Sequence, residues 1–432
     1  MSKLSITVSL ALNFLSIKFL RMRFGLFFCL LLPFADLFGE GSIELRVDPA
    51  RDLANEAFLG FCGQWGPGGW FNVNDPAESD VPWVGKKGVM TEKSWAVELE
   101  RMRYLRPAAI RIFVGFFFLP DRDPAETPDW ETEEMRSLYR YLDFCEAEGI
   151  DVMPVFGYSR VGDLQDYSDP RWAELQADLL EHLVETKGYS CIRWVNAMNE
   201  PNHHKQSYED FVALQENLDA ALKRRGLEES IDIVGPDVIG APNWVRRQAK
   251  DQPEVLDAYA RHIYSPALEA DITGAERQLA EFLAQEDAPA KPYFITEFNW
   301  RIPRRPERTH PDTHAHGVYT TWQALQLAQA GADGIFLWQL SDNNHWFGQN
   351  MWGLWRSKFA DPEMSYRPYF YIWSLLSRYV HKDSRIFSGD FGDTMVRWLA
   401  AEKDSAWTFV VVNRGPTAVE IELSVEGGSE PV

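Results

Sequence analysis

The chain has 432 residues, 45% hydrophobic and 25% charged, with 29 Gly and 25 Pro. That composition suits one large folded domain or two to three ordinary ones, and excludes disordered, collagen-like and coiled-coil chains. With 43 Lys+Arg against 64 Asp+Glu the net charge is −21, so most of the surface repels a polyanion and nucleic acid is not an expected partner.

Two apolar bursts open the chain, at 6–20 and 24–38, flanked by Lys3, Lys18, Arg21 and Arg23 and broken by Pro33. This is the pattern of an export leader over residues 1–41, with Met1 or Met22 as the start and cleavage near 35–41. Neither burst reaches the roughly eighteen clean apolar residues of a membrane span. A secreted or periplasmic protein with no retained membrane span is expected. Past the leader, Cys62, Cys145 and Cys191 are an odd set without C-x-x-C spacing. Each is expected as a small buried hydrophobe.

From about residue 56 short apolar runs alternate with amphipathic stretches, the pattern of βα units around a parallel sheet. Candidate strands are 57–61, 109–114, 151–156, 192–197, 231–235, 258–264, 293–297 and 334–340. Between them, 130–148 carries Met135, Leu138, Tyr141, Leu142 and Cys145 at helical spacing, with Gly149 as the left-handed stop. Ser207 and Asp210 form a capping box for a helix through Leu222, and a third helix runs from about His316 to Ala330 before Gly331. Eight units predict an α/β fold, a (β/α)8 TIM barrel over 42–378. After about Tyr379 the texture changes to alternating runs at 395–400, 408–412 and 419–425. These predict a small antiparallel β module over 379–432, with 43–47 as a candidate extra strand.

In a parallel barrel the chemistry sits at the strand C-termini. The fourth strand ends Asn199-Glu200-Pro201-Asn202 and the seventh ends Thr296-Glu297-Phe298, so each delivers one glutamate to the same rim. Two such carboxyls suit glycoside hydrolysis: a protonated one serves the leaving oxygen, while an ionised one about 5 Å away attacks the anomeric carbon. Glu200 is expected to be raised by the neighbouring acid, and Glu297 held ionised by Arg111 at the end of the second strand.

These residues resemble clan A of retaining glycoside hydrolases, in which an Asn-Glu pair ends strand four and a Glu ends strand seven. Asn-Glu-Pro-Asn followed by Thr-Glu-Phe is most similar to glycoside hydrolase family 39, with family 5 next. The resemblance implies Glu200 as acid/base, Glu297 as nucleophile and Asn199 on the sugar 2-hydroxyl. It also implies Arg111 beside the nucleophile, His262 and Tyr264 at the end of strand six, and Trp338 as a platform under the sugar. The activity implied is cleavage of an oligo- or polysaccharide by double displacement, with no metal or organic cofactor. The loop 341–355, rich in Asn, His and Trp, has no counterpart in the resemblance.

Other aromatics divide. Trp130, Trp172, Trp322 and Trp373 fall in helical patterns and are expected in packing. Trp65, Trp300 and Trp346, with Trp70 and Trp352, stand open between sugar platform and core filler, as does His203 between subsite and solvated loop, and Asp237 after the fifth strand between site and scaffold. Two other classes of function compete: a carbohydrate-binding barrel with a dead site, and a metal-dependent hydrolase built on His310, His314 and His316.

Overall fold

The computed structural model describes residues 28–31, 38–66, 92–157, 161–164, 166–204, 206–265, 279, 281, 291–300, 310–342, 352–356, 361–388, 395–416 and 418–426. Eight parallel strands form the ring: β4 (Gly60–Gln64), β5 (Ala109–Val114), β6 (Asp151–Phe156), β7 (Trp194–Val195), β8 (Asp232–Ile239), β9 (Ala258–Ser265), β10 (Tyr293–Trp300) and β11 (Gly334–Leu337). Each pairs with its successor in sequence. β11 returns to β4, and the bridges Val152↔Ile192 and Val155↔Asn196 join β6 to β7, so the sheet closes as the alternation predicted. Inside it, Cys62, Ala109, Met153, Val234, Ala258, Ala260, Phe294 and Phe336 make one apolar layer, small residues offsetting large ones where strands converge. Cys62, Cys145 and Cys191 are all buried free thiols.

The helices between strands follow their local signals. In α2 (Glu133–Glu148) the Thr132 side chain accepts from the Met135 amide, and Gly149 closes the helix at φ 68°. Its buried face includes Met135, Leu138, Tyr141, Leu142 and Cys145. α4 (Tyr208–Arg225) starts with Ser207 accepting from the Asp210 amide and stops at left-handed Gly226, one turn beyond the expected end. The other α-helices among the described residues are α1 (Glu92–Leu105), α3 (Pro170–Glu181), α5 (Pro242–Asp251), α6 (His314–Gln329) and α7 (Pro368–Tyr379). No helix among the described residues is long and apolar enough to cross a membrane. Trp172, Trp322 and Trp373 are buried in the core, and Trp130 stacks on Phe118 and His182.

The expected first strand, 57–61, straddles two elements. β3 (Leu53–Phe58) leaves the barrel and pairs antiparallel with β12 (Ser384–Phe387), while β4 begins at Gly60, whose φ of 133° lets the chain turn between sheets. The antiparallel module is therefore larger than its C-terminal strands. β13 (Val396–Lys403) and β14 (Ala406–Asn413) form a hairpin through Asp404 and Ser405, both at positive φ. β1 (Phe28–Leu31), inside the expected leader, pairs parallel with β14. β2 (Phe38–Val47) pairs parallel with β15 (Ala418–Val425) and supplies Leu45 and Val47 to a core with Phe387, Trp398, Phe409, Val411, Ile421 and Leu423.

Candidate active site

At the C-terminal rim of the barrel, strand register brings polar side chains together: Gln64 pairs with Arg111 across β4 and β5, and His262 with Glu297 across β9 and β10. Arg111 is fully buried and its guanidinium is the hub. Nη1 donates to Gln64 Oε1 at 2.8 Å and Glu297 Oε1 at 2.7 Å; Nη2 donates to Asn199 Oδ1 at 2.6 Å and Asp237 Oδ2 at 2.7 Å. A desolvated cation needs such neighbours, and its planar fork can serve four oxygens at once.

The loop after β7 aims Glu200. Its residue sits at φ 44°, its amide donates to the Asp237 carbonyl, and its own carbonyl accepts from the His203 and His204 amides. Asn202 bonds Ile239 in both directions, tying this loop to β8. The Glu200 carboxyl meets His262 Nδ1 at 2.8 Å, while His262 Nε2 lies 3.1 Å from Asp237 Oδ1 and Nδ1 lies 3.4 Å from Glu297 Oε2. Tyr264 donates its hydroxyl to Glu297 Oε2 at 2.7 Å. One oxygen of Glu200, one of Glu297 and a ring nitrogen of His262 all lie within 4.8 Å of each other.

The electrostatics reverse one expectation. Burial opposes charge on His262, but the carboxylates of Glu297 and Asp237 outweigh it and push the imidazole up to about 10. Burial also raises Glu200, yet the hydrogen bond and charge of His262 prevail and leave it below the usual glutamate value. Glu297, more deeply buried, ends above that value although His262 and Arg111 pull it down. The sequence expectation has Glu200 raised by the neighbouring acid and Glu297 held ionised by Arg111; it does not include a charged imidazole leaning on Glu200. Asp237 is buried too, but Arg111 and His262 hold it well below the ordinary aspartate value.

Arg111, Asn199, Glu200, His262, Tyr264 and Glu297 thus come together as one cluster. Asp237 and Gln64 belong to it as well. Asp237, open in the sequence between site and scaffold, falls to the site; Gln64 went unnamed, although a polar residue at the C-terminal end of an otherwise apolar strand is the signal that could have singled it out. His203 is exposed next to Glu200. Trp338 follows β11 at the rim, half-buried, edge-on to Phe113 at 5.9 Å, and Phe113 in turn lies under the Arg111 guanidinium.

Two tryptophans leave the site. Trp65 is fully buried, stacked on Trp95 at 5.6 Å, with its indole N–H donated to Glu98; its ring fills the core and offers sugar no face. Trp300 is 8% exposed and packs against Tyr319 and His316. Trp70 and Trp346 lie outside the described residues. Trp352 packs edge-on against Tyr264, ring centroids 5.8 Å apart. Of the histidine cluster, His316 is fully buried against Trp300 and Tyr369 whereas His314 is exposed, and the His310 side chain lies outside the described residues. Glu200, His262 and Glu297 have the spacing to hold a divalent cation. Arg111 beside Glu297 and the proton held on His262 both oppose one.

No protein-family model matches the chain, and no curated protein matches it by sequence. Solved structures do match in fold. The SrfJ protein of Salmonella typhimurium aligns at TM-score 0.62 and 16% identity over 91% of this chain and 93% of its own. The catalytic domain of the family 30 xylanase C of Talaromyces cellulolyticus gives 0.57 and 13% over 88% and 89%. The family 39 glycoside hydrolase of Xanthomonas axonopodis pv. citri gives 0.54 and 15% over 84% and 76%. In fold, the chain is similar to the TIM-barrel glycoside hydrolases of clan A, family 39 among them.

Proposed function

We propose that the protein is a retaining glycosidase acting on an oligo- or polysaccharide. The observation that carries this is the approach of the Glu200 and Glu297 oxygens to within 4.8 Å at the barrel rim. Carboxyl groups about 5 Å apart leave room for an acetal carbon between them, whereas inverting pairs stand about 6.5–9.5 Å apart to admit a water.

Roles follow from surroundings. Glu297 is buried and receives Arg111 and Tyr264 as fixed donors, so it is held in one orientation for attack on the anomeric carbon. Glu200 is partly exposed, where a leaving group and later a water can reach it. Its proton is held by the Glu200–His262 pair and crosses their 2.8 Å hydrogen bond without entering from solvent. In the first step Glu297 forms the C–O bond while Glu200 protonates the departing oxygen. In the second, Glu200 takes a proton from water as that water displaces Glu297.

Hydrolysis of aryl glycosides tests the reading. Glu297→Ala is expected to lose about 10⁴-fold or more in kcat, and azide to restore turnover as glycosyl azide. Unaltered hydrolysis by that variant overturns the assignment. The leader reading places the enzyme outside the cytoplasm, and N-terminal sequencing of protein recovered from periplasm or medium tests that.

A further inference from the structure

We propose that Glu98, on α1 and outside the reacting cluster, is a positioning residue: it clamps the segment after β11 to the barrel so that Trp352 and Tyr264 hold Glu297 in place. The kinetic part rests on the glycosidase reading; the clamp itself does not.

Glu98 has no exposed surface and receives two indoles. Trp65 Nε1 donates to Oε2 at 3.1 Å and Trp355 Nε1 to Oε1 at 2.8 Å. Each indole belongs to a path that ends on Glu297. Trp65 follows Gln64, whose side chain accepts from Arg111, and Arg111 pairs with Glu297. Trp355 lies in the segment 352–356, which carries Trp352 against Tyr264, and Tyr264 donates to Glu297.

The segment is seated by its backbone too. Leu354 donates to the Leu340 carbonyl at 2.8 Å, Asp342 to the Trp355 carbonyl at 3.1 Å, and Gly353 to Asp342 Oδ1 at 2.8 Å. A Cβ on Gly353 would collide with the Asp342 backbone, so the approach needs glycine. Buried Arg367 braces Asp342 with both Nη groups. Glu98 ties this segment by hydrogen bonds to α1 and to Trp65, the residue after β4.

The charged and titratable groups facing Glu98 are Arg101 on its own helix, Asp342 with its partner Arg367, and Tyr141 of α2. Arg101 lies over the Trp355 ring at 5.5 Å and over Tyr366 at 4.4 Å. Burial pushes the Glu98 carboxyl up to about 7 against the pull of both indoles and Arg101. Protonation turns one acceptor oxygen into a hydroxyl, a poorer partner for its indole.

Glu98→Gln keeps the shape but sets an amide N–H₂ against an indole N–H. In the wild type, tryptophan emission is expected to titrate with a midpoint near pH 7, and in Glu98→Gln that transition disappears. On aryl glycosides the variant is expected to lower kcat about tenfold with KM within about threefold, the signature of a displaced nucleophile. Trp355→Phe, which keeps the ring and removes the donor, should reproduce the kcat change, and the double variant should add little to either. If Glu98→Gln does not fold, Trp355→Phe alone decides by the same two readouts. A folded variant with wild-type kcat and an unchanged emission titration overturns the clamp. If the wild type cleaves no glycoside, the emission titration still reads the clamp, so the two failures are distinguishable.

Discussion

Asp237 and Glu98 are both carboxylates without exposed surface, one beneath the rim and one between α1 and the end of β4. Their proton affinities nevertheless move in opposite directions. Asp237 is surrounded by the Arg111 guanidinium and the His262 ring and stays ionised far into acid; Glu98 is met by two neutral indole N–H groups and rises to about 7. Burial penalises both charges alike. The charge of the donors decides the outcome, because a neutral N–H replaces only part of the lost hydration whereas a cation supplies Coulomb attraction in a low-dielectric setting. One nest keeps a fixed charge for chemistry, and the other holds a group that titrates near neutrality.

The largest test of that contrast is Asp237→Asn. It strips the counter-charge from Arg111 and His262 and is expected to cost about 3–5 kcal/mol in urea unfolding at pH 7. Because the folded carboxyl binds protons more weakly than the unfolded one, its contribution is present above about pH 4 and fades as pH falls; the Asn variant should lack that acid-side loss. A cost below about 1 kcal/mol would mean the cations are solvated in some other way.

Glu98 should show the inverse slope. Its folded form binds protons more tightly than the unfolded chain, so wild-type stability falls as pH rises from about 4.5 to about 7. The difference between wild type and Glu98→Gln should shift by about 3 kcal/mol across that window, measured by urea unfolding at each end. Parallel pH curves for the two proteins would break the contrast. Tyr264→Phe probes a neutral donor placed among cations: losing one hydrogen bond to the Glu297 carboxylate is expected to lower kcat/KM about 10- to 100-fold, with steady-state kinetics as the check.

Much of this was legible in the amino-acid order. The barrel could be read because apolar strands and amphipathic helices alternate locally, and the two glutamates because each directly ends a strand. Arg111 was readable in the same way, as a cation at a strand end, whereas His262 and Tyr264 came from the family resemblance. What failed depended on partners far along the chain. Trp65 stands open between sugar platform and core filler until Glu98, on the following helix, takes its indole N–H. The order of proton affinities at the two glutamates turned on a single ring that touches Glu200 while facing Asp237 on its other side. The first strand was misplaced because one glycine moves the chain from one sheet to the other within a continuous apolar run.

The shared module has a consequence for how the molecule is assembled during synthesis. Phe58 finds Ser384, and Leu45 finds Leu423, only after the whole barrel lies between them in the nascent chain. These early strands must wait unpaired, exposed to wrong neighbours, until the last ones leave the ribosome, so the two pairings act as a late clasp on an already formed barrel.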